Sequence, residues 1–271
     1  MSKTPFIKFL AILLFASPVF AVVDGRLVEL KPVKDTTIYS PTGGITLNDV
    51  TEGTVDIEGR ANALGDYLFA GSTGQGRVTR SLLQFDLSFI PSGSIITGVM
   101  LSLHANTPLT GAGFDVNLHS VLSEWTIGTS DAGPFGAGGE GGGGDPTPND
   151  ATWNSSSLGN SVWNTPGGDF SLTASATTFV EGPGIYDWTS PQMVVDVQGW
   201  LDDPITNKGW LLKADNDQDG SARRFASGDN DRLGDEHLLC PTLTVTYEIP
   251  EPMTLSLLGL GGLGLLCRRR T

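Results

Sequence analysis

Glycine occupies 36 of the 271 positions, and with Ser, Thr, Asn and Asp it cuts the apolar residues into short runs. That share is about twice the usual one. Runs this short, rich in β-branched and aromatic residues and punctuated roughly every 8–12 residues, suit a sandwich or barrel and leave no room for a helical bundle. The clearest predicted strands are 36–40, 67–71, 80–86, 95–105, 115–122, 184–188, 209–214 and 241–248. Alternation is strongest in the fourth, where Val99, Leu101, Leu103 and Ala105 share one face and Met100, Ser102 and His104 the other. The expected fold is all-β, a jelly-roll-like double-sheet β-sandwich. One segment departs from this pattern: Val194, Val197, Trp200 and Leu201 recur at helical spacing and Pro204 closes the run. It predicts one short helix capping the sandwich, with Trp200 as its buried anchor.

The two ends have a different chemistry. Residues 1–21 read as a signal peptide: Lys3 and Lys8 supply the basic start, 9–15 the apolar stretch, and Val19-Phe20-Ala21 the small residues of a cleavage site. An anchor helix is the alternative, but the run is short and Pro18 breaks it. Residues 22–34 then form a leader strand or linker before a domain at 35–248. The chain carries −14 overall. Without Lys3, Lys8, Glu251 and the arginines at 268–270, 11 basic residues face 29 acidic ones, so the mature domain is near −18. A field of that sign opposes nucleic acid and anionic lipid, and favours divalent cations. Cys240 is the one cysteine outside the last 23 residues, which excludes an intramolecular disulfide, and its place before alternating Leu243, Val245 and Tyr247 marks a buried small hydrophobe.

Residues 249–271 read IPEPMTLSLLGLGGLGLLCRRRT. Pro250-Glu251-Pro252 ends the folded domain, because proline neither extends a strand nor continues a helix. The apolar run 253–267 lies near the lower limit of about 17–25 residues for crossing hydrocarbon, and Arg268, Arg269 and Arg270 resist translocation. This order resembles the PEP-CTERM sorting signal of Gram-negative bacteria. The resemblance implies a tail helix that serves as a transient membrane anchor. It further implies export by the secretion machinery, processing by an exosortase-type transpeptidase, and delivery to the cell envelope, outer surface or extracellular matrix.

Within the domain, NALGDYLFAG is followed by RSLLQFDLSFIPSGSIITGVMLSLH, VNLHSVLSEWTIG and DATWN. YDWTSPQMVVDVQGWLDDPITNKGWLLKADN and CPTLTVTYE come later. The order resembles the DNRLRE domain, an extracellular β-sandwich related to disaggregatase-type and certain carbohydrate-binding modules, over 35–248. From the residues themselves, Leu82, Leu83 and Phe85 form a central strand, and Pro91-Ser92-Gly93 turns the chain so that 95–103 returns antiparallel to it. The Gly-rich stretch 133–150 is expected to be a long mobile loop within one domain, since glycine loses the most backbone freedom on folding.

Candidate ligand residues fall into three groups. Asp215, Asp217 and Asp219, with Gly220 in sixth position, match the first half of a Ca²⁺ loop. The twelfth position is Ala226 instead of Glu, so closure would fall to Asp229, Asp231, Asp235 or Glu236, and a solvated acidic loop fits the same residues. Trp163, in a polar stretch, is the expected exposed platform for a sugar ring, although a tryptophan covering a sheet edge reads the same way. Arg223 and Arg224 suit uronic-acid carboxylates or the neighbouring aspartates. His104 and His119 are expected on exposed strand faces, with no zinc spacing. Gly-x-Ser-x-Gly and HExxH are absent from the sequence. The expectation is therefore a non-catalytic surface or biofilm-matrix protein, with exopolysaccharide as candidate partner. A purely structural or adhesive envelope protein and a polysaccharide-degrading enzyme are the alternatives.

Overall fold

The computed structural model describes residues 24–41, 58–106, 113–133, 140–215, 220–230 and 239–250. The expected signal peptide and most of the tail, including Glu251, Pro252 and Arg268 to Arg270, lie outside these residues. Among the described residues no helix is long and apolar enough to cross a membrane.

The chain runs through β1 (Asp24–Leu30), β2 (Pro32–Tyr39), β3 (Arg60–Asn62), β4 (Tyr67–Ser72), β5 (Val78–Phe85), β6 (Ile95–Ala105) and β7 (Phe114–Ser120). A small ladder of β8 (Ser155–Ser157) and β9 (Ser161–Val162) precedes β10 (Ala176–Val180) and β11 (Gly184–Thr189). Then come helix α1 (Pro191–Asp202), a 3₁₀ turn (Pro204–Thr206), β12 (Trp210–Ala214), β13 (Arg223–Ala226) and β14 (Thr242–Ile249). Helix α1 forms over the segment whose helical spacing stands out in the sequence. The Ser190 hydroxyl accepts from Met193 N at 3.0 Å, and Pro191 fills the first turn, where its missing N–H costs nothing. Met193, Val197, Trp200 and Leu201 bury its inner face.

Two antiparallel sheets form the sandwich. In the first, β6 pairs with β14 on one side and β11 on the other, β1 lies beyond β14, and β13 joins β6 at Ala105. In the second, the order is β10-β7-β12-β5-β2-β3. β4 belongs to both sheets: Tyr67 to Ala70 pair with β13, whereas Gly71 and Ser72 pair with β5. Gly71 makes that corner at φ +118°, where a Cβ would come within 2.9 Å of Ser221 O. The main core lies between the sheets and includes Leu83, Phe85, Val99, Leu101, Trp188 and Trp210. As expected, Trp200 is a core anchor and Cys240 is buried; Trp188 is a second core anchor.

Two expectations are corrected, and between them stands one feature that the sequence analysis did not address. β5 and β6 are not a hairpin, because Leu83 and Phe85 enter the core from one sheet and Val99 and Leu101 from the other. The connection at 86–94 therefore crosses between the sheets. Second, the outer face of the second sheet is covered as well. Ile38, Leu82 and Leu211 point away from the main core into a second one, roofed by Trp125 and Trp163 from the long segment after β7. Third, residues 140–150 of the Gly-rich stretch are tied down. Glu140 is buried, and its carboxylate accepts from Asn62 Nδ2 at 2.9 Å and from Asp66 N and Tyr67 N at 3.1 Å. Gly144 bridges to Ala61. A buried acceptor with three donors offsets the entropy that the glycines lose.

The corner makes a prediction. Gly71→Ala places a Cβ against backbone at a left-handed φ, and should lower stability by about 1–3 kcal/mol. Gly74→Ala meets no atom within 4 Å and should be neutral. Urea titration of both variants decides it; equal midpoints would remove the corner role from Gly71.

Candidate functional site

The crossover between the sheets builds a cavity. β5 ends at Phe85, and Asp86 then stabilises a tight turn by accepting from Ser88 N at 2.9 Å and Ser88 Oγ at 2.8 Å. Leu87 and Ile90 turn inward, and Ile90 N donates to Leu87 O at 2.9 Å. Opposite stands the last turn of α1. Gln198 fastens this helix to the start of β6, its Oε1 accepting from Ile96 N at 2.8 Å and its Nε2 donating to Ser94 O at 3.2 Å. Trp200 packs on Trp210 with ring centroids 4.5 Å apart. Between these walls lies a cleft of about 630 Å³. Its floor is formed by Phe85, Leu87, Ile90 and Trp200, and its polar rim by Gln84, Asp86, Asp202 and Asn207. Asn207 is fixed across the mouth: its Nδ2 donates to Phe85 O at 2.9 Å, and its carbonyl accepts from Gln84 Nε2. Such a volume, with an apolar floor and a few convergent polar groups, is that of a small-ligand cleft.

The residues singled out in the sequence lie elsewhere. Trp163 is not an exposed platform. It is 4% exposed in the outer core, and its indole N–H donates to Thr152 O at 2.9 Å, because the polar stretch around it folds down onto the sheet. Arg223 is buried, its guanidinium 3.6 Å from the Phe114 ring centroid and its Nη1 donating to Ser221 O at 3.0 Å. Arg224 donates to Asn106 Oδ1 at 2.7 Å and lies 4.2 Å from the Tyr67 ring centroid. Both sit beside Ala105, ten residues along β6 from Ile95 and the cleft. At about 3.3 Å per residue that is roughly 33 Å. Asp215 is exposed after β12 and accepts from Asn117 Nδ2. Asp217 and Asp219 lie outside the described residues, and among those described no cluster of three or more Asp, Glu, His or Cys residues could hold a metal. His104 and His119 fall in different sheets. His119 is not exposed but covered by Phe170, with ring centroids 5.2 Å apart, and burial lowers its pKa.

Sequence reasoning missed the cleft. Its residues come from three separated segments, and the motifs FDLSFIPSG and WLDDP read locally as turn chemistry. Only the crossover brings them together.

Comparison with protein families finds a match to the PEP-CTERM protein-sorting motif at residues 248–270. The match starts inside β14, whose last residue is Ile249. Among curated proteins nothing matches. The sorting motif identifies an exported protein whose tail is recognised by an exosortase, directed to the cell envelope or surface of a Gram-negative bacterium.

One buried acid stands apart from any cation among the described residues. Asp35 in β2 is 5% exposed; burial pushes its carboxyl from an ordinary 3.8 up to about 7, against a lowering hydrogen bond from Gly228 N and with Asp229 adding to the rise. The folded state therefore keeps this proton between about pH 4 and 7, where the unfolded chain has released it. Stability falls as pH rises through that window. Asp35→Asn should be near neutral at pH 4 and stabilising above pH 7, by on the order of 4 kcal/mol. Denaturant titrations of both proteins at pH 4 and pH 8 measure this, and an unchanged difference across the range would contradict it.

Proposed function

We propose that this chain is a non-catalytic surface or biofilm-matrix protein whose sandwich binds polysaccharide after an exosortase has processed its tail. The observation that carries the sorting half is the position of the PEP-CTERM match, which begins at the last rungs of the final strand with no intervening linker. Tail and domain are thus one unit of export, and removing the apolar run leaves a sandwich with a strongly acidic, soluble surface. The cleft supports the binding half. It joins an apolar floor to amide and carboxylate groups, the combination that suits the two faces of a sugar ring.

Two measurements test the two halves. Expressed in a host with an exosortase, the envelope form should lack Arg268 to Arg270 by mass spectrometry, whereas a host without the enzyme should retain them. An intact C-terminus in both hosts would make the tail a permanent anchor. The purified protein should sediment with the host's exopolysaccharide, and its absence from that pellet would favour a purely structural role.

A further inference from the structure

A short run of chain closes the outer core along β7, and a histidine lies beneath it. Leu122 N donates to Asp169 O at 2.9 Å and Ser171 N donates to Ser120 O at 2.9 Å. Phe170, bridged to Val121 between them, packs on the outer core and covers the His119 ring. His119 shares the outer face of the second sheet with Leu211, its cross-strand partner, and is 7% exposed. Its Nδ1 lies 2.8 Å from Ser171 O. A carbonyl only accepts, so Nδ1 carries the proton and Nε2 keeps its lone pair. That Nε2 is buried and has no hydrogen-bond partner among the described residues.

A neutral ring tolerates this place, because it leaves one acceptor unmatched. A protonated ring would put a charged donor where neither an acceptor nor water reaches it. Burial is the largest influence against the charged form. Of the charged neighbours, Lys213 from β12 and Arg80 from β5 repel an imidazolium, and Asp215 after β12 attracts it. The overlying run brings Asp169, whose carboxylate is engaged by Ser123, Asn164 and Thr165, and β10 carries no charged residue.

We propose that His119 is a pH-operated latch on the outer core: neutral, it holds residues 169–171 against β7 through Ser171, and protonated, it releases them. The closed form binds the proton more weakly than the open one. Closure is therefore complete above the ordinary histidine value of 6.5 and is lost progressively as pH falls below it. Release lifts Phe170 from Val121 and Leu211, so the open form gains an apolar patch while the main core stays packed.

Hydrogen exchange of the full-length chain between about pH 7.5 and pH 5, corrected for the intrinsic pH dependence of exchange, tests the latch. Protection of the Ser171 and Leu122 amides should fall about tenfold towards acid, while that of Leu101 and Leu103 in β6 holds. The midpoint should coincide with the titration of the His119 ring and lie below 6.5. Lys213→Met removes a repelling cation and should raise the midpoint; Asp215→Asn removes an attracting carboxylate and should lower it. Lys213 is half-buried and Asp215 exposed, so both variants should fold. His119→Gln keeps a donor for Ser171 O but does not titrate, and should leave Ser171 protected at the acid end. Protection that ignores pH, an unchanged response in His119→Gln, or a midpoint indifferent to both neighbours would each overturn the latch. Loss of protection at Leu101 in step with Ser171 would overturn it too, as global acid unfolding. If His119→Gln does not fold, the opposite shifts of Lys213→Met and Asp215→Asn decide.

Discussion

β5 and β12 divide their side chains between two apolar cores, and the rest of the domain is arranged around that division. Leu83 and Leu212 face the other sheet, while their neighbours Leu82 and Leu211 face the roof formed by the segment after β7. A strand buried on both faces reads as a continuous apolar run, as SLLQF and WLLKA do. The roof in turn depends on indole N–H groups finding acceptors, with Trp125 donating to Lys208 O and Trp163 to Thr152 O. Without that cover the outer leucines would face water, at a loss of about 1.5–3 kcal/mol for each side chain.

The same two-sheet arrangement determines where ligand chemistry can occur. Because β5 and β6 belong to opposite sheets, their connection must cross the open end of the sandwich, and α1 closes that end from the other side. A hairpin there would have left no cavity. Gln198, bonded to both Ser94 and Ile96, keeps the helix and the crossover apart at a fixed spacing. The acidic rim follows from turn and helix-end chemistry, since Asp86 holds its own turn and Asp202 accepts from Gln198. Residues placed for local stability thus give the cleft its charge.

Export and fold meet at β14. Its partners on β6 extend to Glu248 against Ile95, and the sorting motif begins on that same residue. The last strand is held in the first sheet up to Ile249, and the next residue is Pro250, which has no N–H to donate to a ladder. Folding and sorting therefore share Glu248 and Ile249.

Strand character, the short helix, the buried Cys240 and the sorting tail were all legible in the sequence, because each rests on local periodicity or residue order. Alternation told which face of β6 is buried, but it could not tell which strand lies opposite, so the 86–94 turn read as a hairpin. Local polarity likewise marked Trp163 as exposed and 140–150 as loose. Glu140 and Thr152, which tie these segments down, act through contacts many residues away along the chain. Sequence by itself determined the class of fold and the destination of the protein, both written in short-range patterns. Only the tertiary structure decided the strand partners, the second core and the cleft, because these depend on burial between segments that no local pattern connects.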